Sequence, residues 1–312
     1  MTVLRIGTRR SQLALWQAHH VRDLLLQSAP DLNVEIVYLT TAGDRVLDRP
    51  LPEIGGKGLF TQELEEALLQ GTIDLAVHSL KDLPTELAPE FVLAAILRRA
   101  NPLDALISRA GYRLDTLPAS AVVGTSSLRR RAQLLAYRPD LQTLDLRGNV
   151  DTRLRKALDA SGPYDAIVLA VAGLERLERL SVASQILPAA IMLPAPAQGA
   201  VAVQCRADDE HVRALLAPLN DPVTWAAVNA ERAFLSRLDA GCRLPVSALA
   251  TVQDDLVALT GRVNALDGSQ TITVQGQAPV SAALDLGARL AAEALAQGAA
   301  ALLENLRRSL PA

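Results

Sequence analysis

Arginine stands where strands hand over to helices along this chain. Arg9 and Arg10 precede Ser11 and an amphipathic stretch. Arg129, Arg130 and Arg131 fall in the first turn or so of a helix opening near Ser127. Arg147 follows an apolar run, and Arg153 lies in the first turn of the next helix. A cation at a helix N-terminus opposes the macrodipole by ~0.3–1 kcal/mol. Elsewhere the chain puts glutamate there, as Glu63 and Glu65 after Thr61. Backbone N–H groups at such ends already favour anions, and guanidinium forks add bidentate recognition of carboxylate or phosphate. Ligands of open α/β sheets bind at the carboxyl ends of the strands. The pattern predicts a site for a polyanion spanning two lobes. Composition bias, 28 Arg against 3 Lys, accounts for many of the arginines but not for these places.

His78-Ser79-Leu80-Lys81-Asp82-Leu83-Pro84 follows the apolar run 73–77 and occupies the same kind of strand end. Adjacent residues of an extended segment point opposite ways. Spacing alone therefore leaves open whether Lys81 or Asp82 faces a cleft, or whether the pair is a surface turn before Pro84. A cleft carboxylate among arginines would stay ionised. It could stabilise a developing cation or shuttle a proton. Gly55-Gly56-Lys57-Gly58-Leu59-Phe60 lacks P-loop spacing and reads as a mobile loop over a cleft. Cys205 lies in an apolar strand pattern and is expected to be inert. Cys242 follows Gly241 in a tight turn and, on residue type alone, is expected simply to pack. His19, His20, His78 and His211 lack metal-ligand spacing, so no metal is expected. No Ser/His/Asp or Cys/His triad and no dinucleotide G-x-G-x-x-G can be assigned.

Elements that must hold these groups follow from periodicity. A strand at 3–6, a helix at 11–27 capped by Ser11, a strand at 34–39, a helix at 61–69 capped by Thr61 and a strand at 73–77 give βαβα order. That order predicts a parallel sheet covered by helices. It returns between 104 and 193: strand 121–123, a helix from Ser126 or Ser127 to Tyr137, strand 143–146, a helix capped by Asp151, and strand 166–171 before Gly173 and a charged helix. Ile-Gly-Thr at 6–8 matches Val-Gly-Thr at 123–125, and Asp74-Leu-Ala-Val matches Asp165-Ala-Ile-Val. These likenesses predict two similar lobes with a cleft between them, and 191–206 reads as a segment crossing back to the first. Asp221-Pro222 opens a helix running to about Asp239. Strands at 247–252, 256–263 and 271–275 follow, with hairpin turns at Asp254-Asp255 and Asp267-Gly268, then an Ala/Leu-rich helix. The expected class is α/β. It has two doubly wound lobes, residues 1–99 with 199–217 and residues 103–194. A small α+β domain, 221–312, adds a three-stranded antiparallel sheet.

Composition bounds the function. The 312 residues are 50% hydrophobic and 21% charged, which excludes disorder and low complexity and suits two or three domains at roughly 100–200 residues each. No apolar run reaches the ~18 residues of a membrane helix, and 1–17 has no signal-like apolar core. The expectation is a cytosolic chain. Two cysteines exclude a disulfide framework. Aromatics at 3% and a net charge of −3 argue against nucleic-acid partners. No exposed apolar repeat is evident, so a monomer is expected.

GTRRSQLALWQA (7–18), GGKGLF (55–60), HSLKDLP (78–84), GTSSLRR (124–130), LRGNVDTRL (146–154), LAVAGLERL (169–177), PAQGA (196–200) and AGC (240–242) together resemble the hydroxymethylbilane synthase, or porphobilinogen deaminase, family. The matches run in family order to about residue 250. The resemblance implies two periplasmic-binding-protein-like lobes, a small α+β domain and a dipyrromethane cofactor held by a thioether on Cys242, against the packing expectation for that residue. Four porphobilinogen units are added to this primer, and hydrolysis releases hydroxymethylbilane. By match, Asp82 is the catalytic carboxylate and faces the cleft. Ser79, Lys81, Thr125, Ser126, Ser127, Arg129, Arg130 and Arg147 would bind the cofactor. Arg9, Ser11, Lys57, Phe60, Arg153, Arg176 and Gln198 would bind substrate. Departures from the family pattern are Glu53, Ala197, Gln204, Arg243 and a short insertion around Arg155 and 161–163. The rival reading is a non-catalytic cytosolic two-lobed polycarboxylate binder, which needs neither Asp82 nor Cys242. An effector domain of a transcription regulator would need a helix-turn-helix, and none precedes the first lobe.

Overall fold

The computed structural model describes residues 3–41, 61–240 and 244–309. Glu53, Lys57, Phe60, Cys242 and Arg243, and with them the expected loop at 55–60, lie outside the described residues.

The first sheet holds β1 (Val3–Arg9), β2 (Asn33–Leu39), β3 (Leu75–Ser79), β4 (Phe91–Ile96) and β10 (Val201–Arg206), in the order β2-β1-β3-β10-β4. The second holds β5 (Asp104–Ser108), β6 (Val122–Gly124), β7 (Gln142–Leu144), β8 (Ala166–Ala170) and β9 (Gln185–Leu187), in the order β7-β6-β8-β5-β9. Both sheets are mixed, where βαβα order predicted all-parallel strands. β1 is parallel to β2 and β3, and β6 to β7 and β8. β10 is antiparallel to β3 and β4, and β5 to β8 and β9. The reason lies in the path of the chain. β4 ends at the carboxyl edge of the first sheet, so the chain enters the second lobe at the matching edge and β5 must run backwards. β9 returns the chain to β10 in the same way. Asp104 and Val201, the first residues of the reversed strands, therefore stand beside the ends of the parallel ones.

The internal likenesses have physical causes. Asp74 accepts the Arg5 N–H at 2.7 Å, and Asp165 accepts the Val122 N–H at 2.7 Å. Each carboxylate ties the start of its strand to the neighbouring parallel strand. A side chain at Gly7 would meet the end of the Ile73 side chain, and one at Gly124 would strike the Tyr164 ring, so a neighbouring side chain packs directly onto each glycine.

Helices α1 (Gln12–Ser28), α2 (Gln62–Leu69), α3 (Leu128–Tyr137), α4 (Val150–Leu158), α5 (Val171–Arg176) and α6 (Glu210–Leu216) belong to the α/β part. Ser11 caps α1 by accepting the Ala14 N–H at 3.3 Å, and Ser127, not Ser126, caps α3. Thr61 precedes α2, but its hydroxyl makes no cap bond. Asn149, following Gly148 at φ 115°, caps α4 by accepting the Thr152 N–H at 2.9 Å. Asp151, the expected cap, sits in the first turn instead. β3 runs on to Ser79, so His78 and Ser79 are strand residues rather than the start of a loop.

Asp221 caps α7 (Pro222–Arg237), accepting the Thr224 N–H at 2.7 Å. The antiparallel meander β11 (Val246–Gln253), β12 (Leu256–Asn264), β13 (Thr271–Pro279) packs on α7 and α8 (Ala283–Ala294) around the buried ring of Phe234. Asp254 and Asp255 both take positive φ, 50° and 60°, as a mirror-image hairpin turn requires. The expected single closing helix breaks at Gly298, φ 108°, into α8 and α9 (Ala300–Ser309).

Candidate active site

Parallel strands of the first sheet deliver their ends to one small pocket of about 80 Å³. Arg9, Ser11, Gln17, Thr61, His78, Ser79 and Asp82 line it. Asp82 closes a single 3-10 turn, Leu80–Asp82, directly after β3, and its side chain is exposed. Leu80 is fully buried, and at three residues per turn the 3-10 turn sets Asp82 on a different, exposed face. Gln17 from α1 donates to the Ser79 hydroxyl at 2.8 Å. Burial pushes His78 down to about 4, with the Gln204 amide opposing. His78 is thus a neutral wall of the pocket near pH 7. Lys81 is half-buried and brought down to about 8, by burial first, with Asp82 opposing and Arg130 adding to the fall.

The second lobe presents arginines. Arg129 and Arg130 in the first turn of α3 are both buried, and a single buried carboxylate, Asp104, serves both. Arg129 donates to it at 2.8 Å and Arg130 at 2.7 Å. Each also donates to a main-chain carbonyl, Leu193 and Val168 respectively. Burial alone would raise the Asp104 pKa, but the two guanidiniums hold it far below the ordinary carboxylate range. Two cations against one anion leave net positive charge at the strand ends. Buried donors remain unsatisfied there: among the described residues, Nε of Arg130 and Nη1 of Arg147 have no hydrogen-bond partner. A buried unmet donor costs ~1–3 kcal/mol, which an incoming anion would relieve. Arg153 donates to the Gly148 carbonyl at 2.7 Å. Burial, Arg130 and Arg147 lower it to about 10, while the charge of Asp82 acts on it from the other lobe in the opposite sense.

Between the lobes runs a hydrogen-bonded chain. Gln198, fully buried in the crossing segment, donates to Asp104 at 2.9 Å and to the Pro102 carbonyl at 2.7 Å, and accepts from Lys81 at 3.2 Å. Lys81 of one lobe thus reaches the arginine pair of the other through one amide and one carboxylate.

Comparison with known proteins supplies the family. The profile described as "Porphobilinogen deaminase, dipyromethane cofactor binding domain" matches residues 4–214, and "Porphobilinogen deaminase, C-terminal domain" matches residues 225–296. The chain belongs to the porphobilinogen deaminase family. It is 53% identical to the porphobilinogen deaminase of Roseiflexus castenholzii, over 96% of this chain and 98% of that one. It is 48% identical to that of Syntrophomonas wolfei, over 99% and 100%. Among solved structures it is similar to CbnR, a LysR family transcriptional regulator, at TM-score 0.43 and 13% identity over 70% of each chain. Another is the Candida albicans CA3427 gene product, which exhibits the generic periplasmic binding protein structural fold. There the TM-score is 0.38, with 12% identity over 77% of this chain and 74% of that one.

In this member of the family, Arg9, Ser11, Ser79, Lys81 and Asp82 gather at the ends of β1 and β3. Thr125, Ser126, Ser127, Arg129 and Arg130 gather after β6, and Arg147 and Arg153 after β7. Ser126 spends its hydroxyl on Leu146, donating to its carbonyl and accepting its N–H, both at 3.0 Å. Two residues stand apart. Gln198 is buried in the network just described. Arg176 donates to the Gly199 carbonyl at 2.7 Å and lies 5.4 Å over the Trp16 ring, beside a separate pocket of about 360 Å³. Sequence reasoning missed Asp104. Its signal was present: an aspartate heading the otherwise apolar run 104–107. It also missed the Arg99–Glu231 ion pair at 2.6 Å, joining the first crossing to α7, for which the sequence carries no local sign. Among the described residues no group of three or more His, Cys, Asp or Glu could hold a metal, and no helix is long and apolar enough to cross a membrane.

Proposed function

We propose that the chain is a hydroxymethylbilane synthase, the transferase that condenses four porphobilinogen molecules with loss of ammonia and releases hydroxymethylbilane by hydrolysis. The observation that carries this reading is one exposed carboxylate, Asp82, opposite a wall of arginines with unmet buried donors on Arg130 and Arg147. Those donors suit the acetate and propionate groups of a dipyrromethane, so the residues present fit that cofactor. In this reading Arg129, Arg130, Arg147, Lys81, Ser79, Thr125, Ser126 and Ser127 hold it, and Cys242 anchors it. When bound, the dipyrromethane supplies the nucleophilic pyrrole carbon to which the first substrate unit is joined.

The chain's own residues do the rest. Arg9, Ser11, Arg153 and Arg176 hold substrate carboxylates, with Lys57, Phe60 and Gln198 supporting the site. The Asp82 carboxylate accepts the pyrrole N–H of the bound substrate. It stabilises the positive charge that grows as ammonia departs, where a fixed anion is worth more than water. It then stands ready to accept the proton lost when aromaticity returns. Neutral His78, in the same pocket, adds no positive charge there near pH 7. We also infer a cytoplasmic monomer without nucleic-acid partners, a reading supported by the net charge of −3 and the 3% aromatic content.

Intact mass followed by peptide mapping tests the reading. An excess of two linked pyrroles on the Cys242 peptide is expected, absent from C242S. The variant D82A is expected to keep the adduct, if it is acquired preassembled, and lose turnover. No adduct and no ammonia release after incubation with porphobilinogen would favour the non-catalytic binder.

A further inference from the structure

Helix α7 presents two stripes to the rest of the molecule. Thr224 and Glu231, seven residues apart, face the crossings. Thr224 accepts the Arg99 N–H at 3.0 Å, and Glu231 accepts from the Arg99 guanidinium and from the Ala197 N–H. The neighbouring stripe, Trp225, Val228 and Arg232, has the i, i+3, i+7 spacing of one helix face and meets the turn that bears Asp82. Val228 and Trp225 pack in one apolar cluster with Leu80 and Leu83, the residues on either side of Lys81 and Asp82. Arg232 donates through Nη2 to the Pro84 carbonyl at 2.6 Å and the Thr85 carbonyl at 3.1 Å, and its Nη1 lies 3.5 Å from the Leu83 carbonyl. One guanidinium thus gathers the main chain of the three residues that follow Asp82. Within the turn itself, Leu80 and Leu83 are tied by one 3.2 Å hydrogen bond, and Leu80 donates to the Ala200 carbonyl.

We propose that Arg232 is a positioning residue for the reaction: it fixes the direction of the Asp82 carboxylate by clamping carbonyls 83–85 to α7. Among the described residues no side-chain hydrogen bond holds Asp82, which is exposed at the end of a three-residue turn. Its aim therefore depends on the backbone at 80–85, and that backbone is held on its apolar side by Val228 and Trp225 and on its polar side by Arg232. Arg suits this task because its planar fork can serve several carbonyls at once, whereas a lysine ammonium is a point donor on a flexible stem. The proposal rests on the assignment of Asp82 as the catalytic carboxylate.

The experiment compares R232L, R232K, D82E and the double variant D82E/R232L, each as purified holoenzyme with its cofactor confirmed by mass. Misplacement by about 1 Å can cost about 100-fold in rate. R232L is expected to lower kcat by roughly that factor with KM unchanged, and R232K to recover part of the loss. If Arg232 acts through Asp82, R232L costs much less in the D82E background than in the wild type. Wild-type kcat in folded R232L overturns the proposal, as do losses that simply add to those of D82E. If R232L fails to fold, R232K carries the test in the same cycle: a reduced kcat that does not add to D82E supports the clamp, and a wild-type kcat overturns it. D82A is run alongside. An active D82A removes the assignment of Asp82 itself, whereas an inactive D82A with a fully active R232L removes only the clamp.

Discussion

Lys81 and Asp82 divide one short turn between two kinds of work. Asp82 is open to solvent, while Lys81 is drawn back against Gln198 and the buried Asp104 network. Burial, opposed by Asp82, brings the Lys81 pKa down to about 8 from 10.5. The ammonium is the form that binds carboxylates, so activity should fall as pH rises through about 8. Stability should move the other way. Between 8 and 10.5 the unfolded chain binds more protons at this residue than the folded one, so the contribution of Lys81 to stability grows with pH across that window. In K81R the cation persists through this range, and the alkaline fall near pH 8 should vanish from a kcat/KM profile. A limb that stays at the same pH in K81R would assign it to another group.

At the scale of elements, α7 fastens the crossings that reverse β5 and β10. Glu231 is fully buried, and its carboxylate takes two donors from Arg99 at 2.6 and 3.0 Å, the Ala197 N–H at 2.6 Å and the Ala250 N–H at 2.7 Å. One side chain thus holds both crossings and the first strand of the third sheet. Removing one partner of a buried ion pair costs about 3–5 kcal/mol, because the other charge is left uncompensated. E231A should lose about that much, read as a lower urea midpoint at unchanged slope. An unchanged midpoint would show that the crossings are held by packing alone.

Across the whole molecule, Arg176 is one side chain that links the two lobes. Arg176, at the end of α5, reaches the Gly199 carbonyl and covers Trp16 of α1 on the other lobe, while Trp16 stacks on His20 at 4.9 Å. A hydrogen bond to a charged donor is worth about 1.5–3 kcal/mol and a cation–π contact about 0.5–1. Together they make a weak link between the lobes, of a size that thermal motion can break. R176A should therefore increase the radius of gyration in small-angle scattering of the substrate-free enzyme. A scattering profile identical to the wild type would show that other contacts, such as the Asp104–Gln198–Lys81 chain, hold the lobes together.

The parallel strands and the helices between them, the caps at Ser11 and Asp221 and the arginines at strand ends were legible in the sequence, because each leaves a pattern within a few residues, and the likeness of Asp74 to Asp165 was legible as a repeat; the strands at 91–96, 104–108 and 185–187 were not read. The motifs also carried the family and with it the chemistry expected of Asp82 and Cys242. Tertiary structure alone decided the direction of β5 and β10, since strand direction depends on where a chain re-enters a sheet and not on its side-chain pattern. It decided that Arg129 and Arg130 share Asp104, about 25 residues away along the chain, and that Gln198 is spent inside the network rather than open to a ligand. It also decided that Arg232 reaches carbonyls 83–85 across nearly half the chain. Pairings of that separation leave no periodicity in the sequence; they exist only once the fold has brought distant segments within hydrogen-bond distance.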